Sequence, residues 1–256
     1  MLVKRGRDIL GSYYMNNRFS SPLHFGPTRK RNLFAQVVEE LGIRIVRGDL
    51  GPDDAFPKEA DLEREYGVSR SVIREAVKTL AAKGLLESKT RTGIRALPPV
   101  RWNLLDSEVL SWRYSAMQPV QFFAELFEIR EMIEPEAAAL AAIRATPADI
   151  EEIDTAFKAM VEASQADTPG VEADLRFHRG ILAAGRNPLL LQMGNLISVG
   201  LLISHRFSRE SFAIFLPLHR KVMEAIKAGE SDQARQAMRR LLVDTRNYMK
   251  DHIHND

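Results

Sequence analysis

The chain has 256 residues, of which 45% are hydrophobic and 27% are charged, a composition typical of a globular protein with one or two domains. It contains no cysteine, which excludes a disulfide framework, thiolate metal sites and a cysteine nucleophile. No run of 18 apolar residues occurs, and residues 1–28 lack the apolar stretch of a secretory signal. We therefore expect a cytoplasmic protein without a membrane partner.

The charge is unevenly distributed along the chain, although the net charge is only +2. Residues 1–100 carry 18 basic and 12 acidic side chains, whereas residues 101–256 carry 18 basic and 22 acidic ones. Residues 66–100 alone hold seven basic and two acidic side chains. This asymmetry predicts a polyanionic partner for the N-terminal part only.

The pattern divides the chain into four segments. Residues 1–28 show no periodicity and are interpreted as a flexible arm, or alternatively as a DNA-contacting arm that ends in the basic run at 29–31. Residues 29–98 are predicted to form a winged helix. Residues 99–118 are predicted to form a linker, and residues 119–252 are predicted to form an all-helical second domain.

Helical periodicity and glycine stops predict the winged helix. Three helices and two strands are expected at 32–47, 58–66, 69–84, 85–88 and 94–97. Ser69 is predicted to cap the third helix, which is the recognition helix of a helix–turn–helix. The second half reads as a bundle of about six helices, with Thr146 capping one of them and Pro217 breaking another. The predicted fold class is thus mainly α.

Candidate DNA-binding residues lie at the start of the recognition helix and on the wing. Arg70 and Arg74 are four residues apart, hence on one helix face, and arginine suits bidentate contact with guanine or a phosphate. The full predicted set is Ser69, Arg70, Ser71, Arg74, Lys89, Arg91 and Gly93. The alternative is that the two arginines are merely solvated helix charges.

One motif extends through this region: Gly48-x-Leu50-x-Pro52, then Phe56-Pro57-x-Glu59-x-x-Leu62-x-x-x-Tyr66-Gly67-Val68-Ser69-Arg70-x-x-Ile73-Arg74-Glu75-Ala76, then Gly84-Leu85-Leu86. It resembles the winged-helix domain of GntR-type regulators. The resemblance implies that the protein binds double-stranded operator DNA and is not an enzyme. Phe56 and Arg91 depart from the usual pattern of leucine and glycine, and Arg91 is expected to alter contacts made by the wing.

The helical half resembles the C-terminal FCD-type domain of the FadR branch of that family. The carrying residues are Arg130-x-x-x-Glu134-x-x-Ala137, Asp174-x-x-Phe177-His178-x-x-Ile181 and His219-x-x-x-Met223. The resemblance implies a divalent metal (Zn, Ni or Mn) held by Asp174, His178 and His219, donors that suit such ions. The family often has a further histidine on the last helix, and the corresponding position in this chain is Leu241. The alternative is that Asp174 pairs with His178 and that His219 is a hydrogen-bonded core residue.

Two arginines are candidates for binding an effector. The family resemblance implies that Arg130 holds an effector carboxylate with its fork of N–H donors. A salt bridge from Arg130 to Glu134 or Glu131 is the alternative. By its position in the helical pattern, Arg206 is also expected near the cavity.

The linker gives a finer indication of the effector. Its segment Trp102-Asn103-x-Leu105-Asp106-x-x-Val109-Leu110-x-Trp112 is similar to the one that follows the wing in galactonate-operon repressors. This implies a sugar acid, such as a hexonate, as the effector. We expect a repressor that binds a near-palindromic operator as a homodimer.

Two other functions are consistent with part of the sequence. A metal-dependent hydrolase would use Asp174, His178 and His219, but no general base accompanies them and no phosphate loop or nucleophile turn occurs. A DNA-binding protein without an effector would leave the inward-facing arginine and histidines unexplained.

Overall fold

The computed structural model describes residues 33–89, 93–117, 119–166, 168, 170–207 and 209–253. The predicted arm at 1–28, the basic run at 29–31 and the wing residue Arg91 lie outside the described residues. The described part of the chain forms ten α-helices, one short 3-10 helix and one two-stranded sheet, which confirms the mainly α fold class. None of its helices has the length and apolar character needed to cross a membrane.

The N-terminal unit has the element order of a winged helix, as predicted. Its elements are α1 (Leu33–Arg47), α2 (Glu59–Tyr66), α3 (Arg70–Ala82), β1 (Leu86–Lys89) and β2 (Gly93–Ala96). The strands pair antiparallel, with Leu86 opposite Ala96 and Lys89 opposite Gly93. Apolar residues at helical spacing meet in one core, which includes Val37, Leu41, Ile45, Ile73, Val77 and Leu80.

The turn between α2 and α3 depends on a glycine and lacks the predicted side-chain cap. Gly67 ends α2 at a φ of +63°, a left-handed conformation that glycine adopts without steric cost. Ser69 occupies the N-cap position of α3, but its side chain makes no capping hydrogen bond. Its hydroxyl instead lies 2.9 Å from that of Ser71. The prediction is therefore confirmed for the N-cap position of Ser69 and wrong for the capping hydrogen bond of its side chain.

The C-terminal part contains six helices, as predicted. They are α5 (Pro119–Arg144), α6 (Pro147–Gln165), α7 (Val171–Ala184), α8 (Pro188–Phe207), α9 (Arg209–Lys227) and α10 (Ser231–Ile253), so α4 lies in the linker. Thr146 caps α6 in a full capping box with Asp149, which confirms the sequence prediction.

The predicted break at Pro217 is wrong. Pro217 lies inside α9, just as Pro135 lies inside α5. A proline removes one backbone hydrogen bond and favours a kink, but it does not end a helix that is held on both sides by packing. Phe215 precedes Pro217 and Val222 follows it, and both are buried in the core of the bundle.

The linker contains a helix that the sequence did not predict. A 3-10 helix spans Pro99–Arg101, and α4 spans Ser107–Ala116. Asp106 caps α4 by accepting hydrogen bonds from the backbone N–H groups of Glu108 and Val109, at 3.0 and 3.2 Å.

Helix α4 packs on both halves of the protein. Val109 and Trp112 belong to the winged-helix core. Leu110 belongs instead to a cluster with residues of α5 and α10, namely Phe122, Phe123, Leu126, Phe127 and Met249. The end of α3 is tied to the same helix, because Lys83 Nζ lies 2.6 Å from Asp106 Oδ2. Helix α3, the predicted recognition helix, and the bundle are thus joined through α4.

Candidate DNA-binding surface and effector site

The two predicted recognition arginines lie side by side at the start of α3 and share one acidic partner. Arg70 Nε donates to Glu59 Oε2 at 2.9 Å, and Arg74 Nε lies 3.2 Å from both carboxylate oxygens of Glu59. The arginine side chains are 63% and 56% exposed, while that of Glu59 is 25% exposed. Both guanidinium groups are therefore accessible from solvent while their Nε atoms are held.

Glu59 was not predicted as a site residue, although it lies in the motif quoted above. It is the first residue of α2, so the short turn between α2 and α3 brings it against the next helix. The hydrogen bond from Arg70 lowers the pKa of Glu59, partial burial opposes this, and Arg74 lowers the pKa further. The carboxyl group is thus held in its ionised form.

The other predicted DNA-binding residues that the structure describes lie at the start of α3 and in the hairpin. Ser69 and Ser71 are exposed at the N-terminus of α3. Lys89 ends β1 and Gly93 begins β2, so both lie at the tip of the hairpin, although the Lys89 side chain lies outside the described residues. Gly93 has a φ of +80°, a left-handed conformation that favours glycine, and no described atom outside its chain neighbours would lie within 4 Å of a Cβ there.

The three predicted metal ligands converge inside the bundle. Asp174 and His178 lie one turn apart on α7, and His219 lies on α9. All three are buried, with exposed fractions of 5%, 2% and 5%. Asp174 Oδ1 lies 3.6 Å from His178 Nε2 and 3.1 Å from His219 Nε2. One ligand atom from each residue lies within 4.8 Å of the other two.

Hydrogen bonds on the far side of each imidazole assign its tautomer. His219 Nδ1 lies 2.9 Å from the backbone carbonyl oxygen of Phe215, which only accepts, so Nδ1 carries the hydrogen. His178 Nδ1 contacts Glu134 Oε2 in the same way. Nε2 of each ring faces Asp174 and is the nitrogen left to bind a metal. This is the arrangement found around metal-binding histidines.

The residues fit a divalent cation of the zinc, nickel or manganese type. Two imidazole nitrogens and one carboxylate are donors that these ions accept, and three protein ligands leave a position open. Leu241 supplies no donor, since it is an apolar core residue of α10. The alternative from the sequence, in which Asp174 pairs with His178 and His219 is a hydrogen-bonded core residue, stays open, although Asp174 lies nearer to His219 than to His178.

Arg130 and Glu134 form a buried ion pair beside the metal ligands. Arg130 Nε donates to Glu134 Oε1 at 2.6 Å, and the two side chains are 2% and 1% exposed. Burial by itself raises the pKa of Glu134, but the charges and hydrogen bonds of Arg130 and His178 lower it to about 2. Glu134 thus connects Arg130 to His178, a predicted metal ligand, by a contact that was not predicted from the sequence.

Part of the Arg130 guanidinium is left for another partner. Among the described residues, its buried Nη1 has no hydrogen-bond partner. Glu131, the other acid considered from the sequence, pairs with Arg246 at 2.8 Å. Arg206 lies in α8, but its side chain lies outside the described residues.

Two family models match the chain. Residues 33–95 match the model for bacterial regulatory proteins of the gntR family, and residues 125–244 match the FCD domain. The matches cover the winged helix and most of the bundle that contains the buried site.

Curated relatives match along most of their length. The galactonate operon transcriptional repressor of Escherichia coli is 32% identical, over 84% of this chain and 96% of its own. The regulator LutR of Bacillus subtilis is 31% identical, over 76% and 90% of the two chains. The Uxu operon regulator of Haemophilus influenzae is 24% identical, over 80% and 77%.

A solved structure of Lar, which controls the expression of the Listeria monocytogenes agr system, aligns with a TM-score of 0.63. It covers 87% of this chain and 99% of its own at 20% identity, a likeness that concerns the fold.

The hydrolase alternative is not retained, because the matched family and the named relatives are regulators of transcription rather than enzymes. The resemblances drawn from the sequence are confirmed for both halves of the chain. The protein belongs to the GntR family of bacterial transcriptional regulators and carries an FCD domain after its DNA-binding domain.

Proposed function

We propose that the protein represses transcription by binding a near-palindromic operator as a homodimer. The recognition helix α3 would enter the major groove at its N-terminus, where Arg70 and Arg74 are exposed together. Ser69 and Ser71 would contact phosphates, and the wing would contribute Lys89, Arg91 and Gly93. Two-fold symmetry of the dimer would match that of the operator. This function places the protein in the cytoplasm, with the DNA.

The effector we propose is a small carboxylate, most specifically a sugar acid such as a hexonate. The name of the galactonate operon repressor supports this chemical class. In this chain, Arg130 presents a buried N–H group without a partner among the described residues, which suits a carboxylate. Arg206 is proposed as a second contact.

A divalent metal at Asp174, His178 and His219 is part of the same proposal. When bound, the metal would supply a Lewis-acid position for an effector oxygen. The chain's own residues prepare this site: the Phe215 carbonyl group and Glu134 fix the two imidazole tautomers, and burial excludes bulk water.

The effector signal would reach the DNA-binding helix through the linker. Helix α4 packs on the winged helix through Trp112 and on the bundle through Leu110. An effector that binds two arrangements of the bundle with different affinity shifts the balance between them, and α4 would transmit that shift. We propose that effector binding releases the operator.

The observation that carries the effector proposal is the buried group in which Glu134 connects Arg130 with the ligand His178. A thermal-shift screen of the full chain against hexonates, lactate, dicarboxylates and fatty acyl-CoA, with and without a chelator, tests it. A ligand at 100 times its Kd should add about 2.7 kcal/mol to the unfolding free energy. We expect a hexonate to give this shift and the chelator to abolish it.

Arg130→Lys is the variant for this screen, because lysine keeps the charge and loses the fork of donors. We expect it to lose the hexonate shift and to retain DNA binding. A hexonate shift that survives chelation would contradict the proposal that a metal takes part in binding the effector. The absence of any shift with all four acid classes would contradict the effector proposal as a whole.

DNA binding is tested separately by replacing both recognition arginines. Arg70→Ala with Arg74→Ala should abolish sequence-specific binding, whereas Arg64→Ala is a matched control because Arg64 is 80% exposed on α2 and pairs with Asp61. Specific binding by the double variant at the level of the control would contradict the proposed interface.

A further inference from the structure

Glu59 occupies an unusual position for an acidic residue, because it lies among the side chains that are expected to face a polyanion. Its carboxylate contacts Arg70 at 2.9 Å and Arg74 at 3.2 Å. A carboxylate beside a DNA-binding surface repels phosphate, so its presence lowers the affinity for DNA of any sequence. Because Glu59 lowers the affinity for DNA, we look for a function that its contact with both arginines performs.

Stabilisation of the fold does not account for the contact. Ion pairs with exposed side chains contribute about 0–1 kcal/mol, and both arginines are more than half exposed. An acid in the first turn of a helix gains a little from the helix dipole, but Asp61 supplies a charge in that turn as well. Neither effect requires a carboxylate that reaches two guanidinium groups of another helix.

The atoms involved suggest what the contact does. Both arginines use Nε, so the terminal Nη groups take no part in binding Glu59. Bidentate recognition of guanine O6 and N7 needs two N–H donors of one guanidinium, which the Nη groups supply. A guanidinium held at Nε loses much of its rotational freedom before it meets DNA, which reduces the entropy lost on binding.

We propose that Glu59 is a positioning residue for base recognition, whose carboxylate holds Arg70 and Arg74 by Nε and presents their Nη groups together to the major groove. The same negative charge disfavours complexes in which these arginines contact only the backbone phosphates. Glu59 therefore raises specificity in two ways, by ordering the correct contact and by weakening the wrong one. This inference rests on the proposed DNA-binding function.

The chain offers a matched control for the test. Glu59→Gln and Asp61→Asn each remove one negative charge from the first turn of α2. Asp61 pairs with Arg64, an exposed residue of the same helix, and neither of the recognition arginines contacts it among the described residues. The two variants thus change the charge equally, and Glu59→Gln alone disturbs the recognition arginines.

The experiment selects binding sites from a pool of duplex DNA with a random core, using the full-length wild-type protein. The selected duplex and a scrambled duplex of equal length are then titrated with wild type, Glu59→Gln and Asp61→Asn at one salt concentration. We expect Glu59→Gln to lower the ratio of specific to non-specific affinity about tenfold, since it disturbs bidentate contacts. Asp61→Asn should keep the wild-type ratio, and both variants should bind the scrambled duplex at least as tightly as wild type.

The outcomes separate this inference from the function on which it rests. If the wild-type protein enriches no sequence, the proposed DNA-binding function is wrong. If it enriches a sequence and the two variants show equal ratios, Glu59 acts only as a charge and the positioning role is overturned. Unfolding curves of the three proteins are compared first, because a change in specificity at unchanged stability is what a purely structural role would not produce.

Discussion

Glu59 and Glu134 have the same local arrangement in very different surroundings. Each carboxylate contacts two basic side chains: Arg70 and Arg74 at the surface for Glu59, and Arg130 and His178 in the bundle for Glu134. Glu59 is one quarter exposed, whereas Glu134 is 1% exposed. Water competes for the first set of contacts and is excluded from the second.

This difference decides what each carboxylate contributes. At the surface, water stabilises every partner if the contact breaks, so the contacts of Glu59 with the two arginines are broken at little cost. In the interior, loss of the carboxylate leaves a buried guanidinium without its counter-charge, so the cluster belongs to the folded state itself. The first arrangement suits exchange of partners on binding, and the second suits a preformed site.

The largest expected effect follows from breaking the buried cluster. Glu134→Gln should lower the unfolding free energy by about 3–5 kcal/mol, because Arg130 is then buried without an anionic partner. Chemical denaturation at neutral pH measures the loss. Glu136→Gln is the control, since Glu136 pairs with Arg235 on the exposed side of the same helix and should cost about 1 kcal/mol or less. Equal losses in the two variants would contradict the burial argument.

The stabilisation that ionised Glu134 contributes should also depend on pH. Acidification should reduce this contribution, and the change should be smaller than the loss caused by Glu134→Gln. The pKa of Glu134 falls from its ordinary value of 4.5 in the unfolded chain to about 2 in the folded protein. Because the folded pKa is the lower one, its contribution is complete above pH 4.5 and disappears as the pH falls towards 2. A protonated Glu134 then resembles glutamine.

Denaturation of wild type and Glu134→Gln between pH 6 and pH 3 tests this directly. The difference between their unfolding free energies should narrow below about pH 4.5, a window set by the two pKa values. Taking the difference removes the titration of the carboxylates that lie far from Glu134. A difference that stays constant over this range would show that Glu134 is not ionised in the folded protein.

Whether a contact could be predicted from the sequence depends on how many positions separate the two residues along the chain. The i,i+4 pair of Arg130 and Glu134 was one of the alternatives open from spacing alone, since both residues are on one helix face. The contact between Glu134 and His178 spans 44 positions and depends on how α5 packs against α7, which no local pattern contains. Thr146 and Asp149, by contrast, form the predicted capping box because all its atoms come from four consecutive residues.

The missed helix α4 illustrates the same limit. Its buried residues point into two different cores, Val109 and Trp112 into one and Leu110 into the other. A helix that is buried on opposite sides lacks the one-sided apolar stripe by which helices are identified. The misplaced break at Pro217 has a related cause, because the packing that carries α9 past the proline is tertiary.

The proposed metal site extends the comparison, since the buried cluster adjoins the three predicted ligands. Zinc at 100 times its Kd should raise the unfolding free energy of the wild-type protein by about 2.7 kcal/mol. Asp174→Asn should lose this effect, because Asp174 Oδ1 faces both Nε2 atoms. Asp154→Asn is the control, as Asp154 pairs with Lys158 on the surface of α6. A shift of equal size in Asp174→Asn would place the metal elsewhere in the protein.

The smallest expected effect concerns the surface cluster. Glu59→Gln should change the unfolding free energy by less than about 1 kcal/mol, since Arg70 and Arg74 are hydrated once released. Chemical denaturation alongside Glu134→Gln measures both carboxylates on one scale. If Glu59→Gln proved as destabilising as Glu134→Gln, the main role of Glu59 would be to hold α2 against α3. The positions of Arg70 and Arg74 would then be a consequence of folding. A small loss, combined with reduced sequence specificity, leaves recognition of DNA as the property that this carboxylate serves.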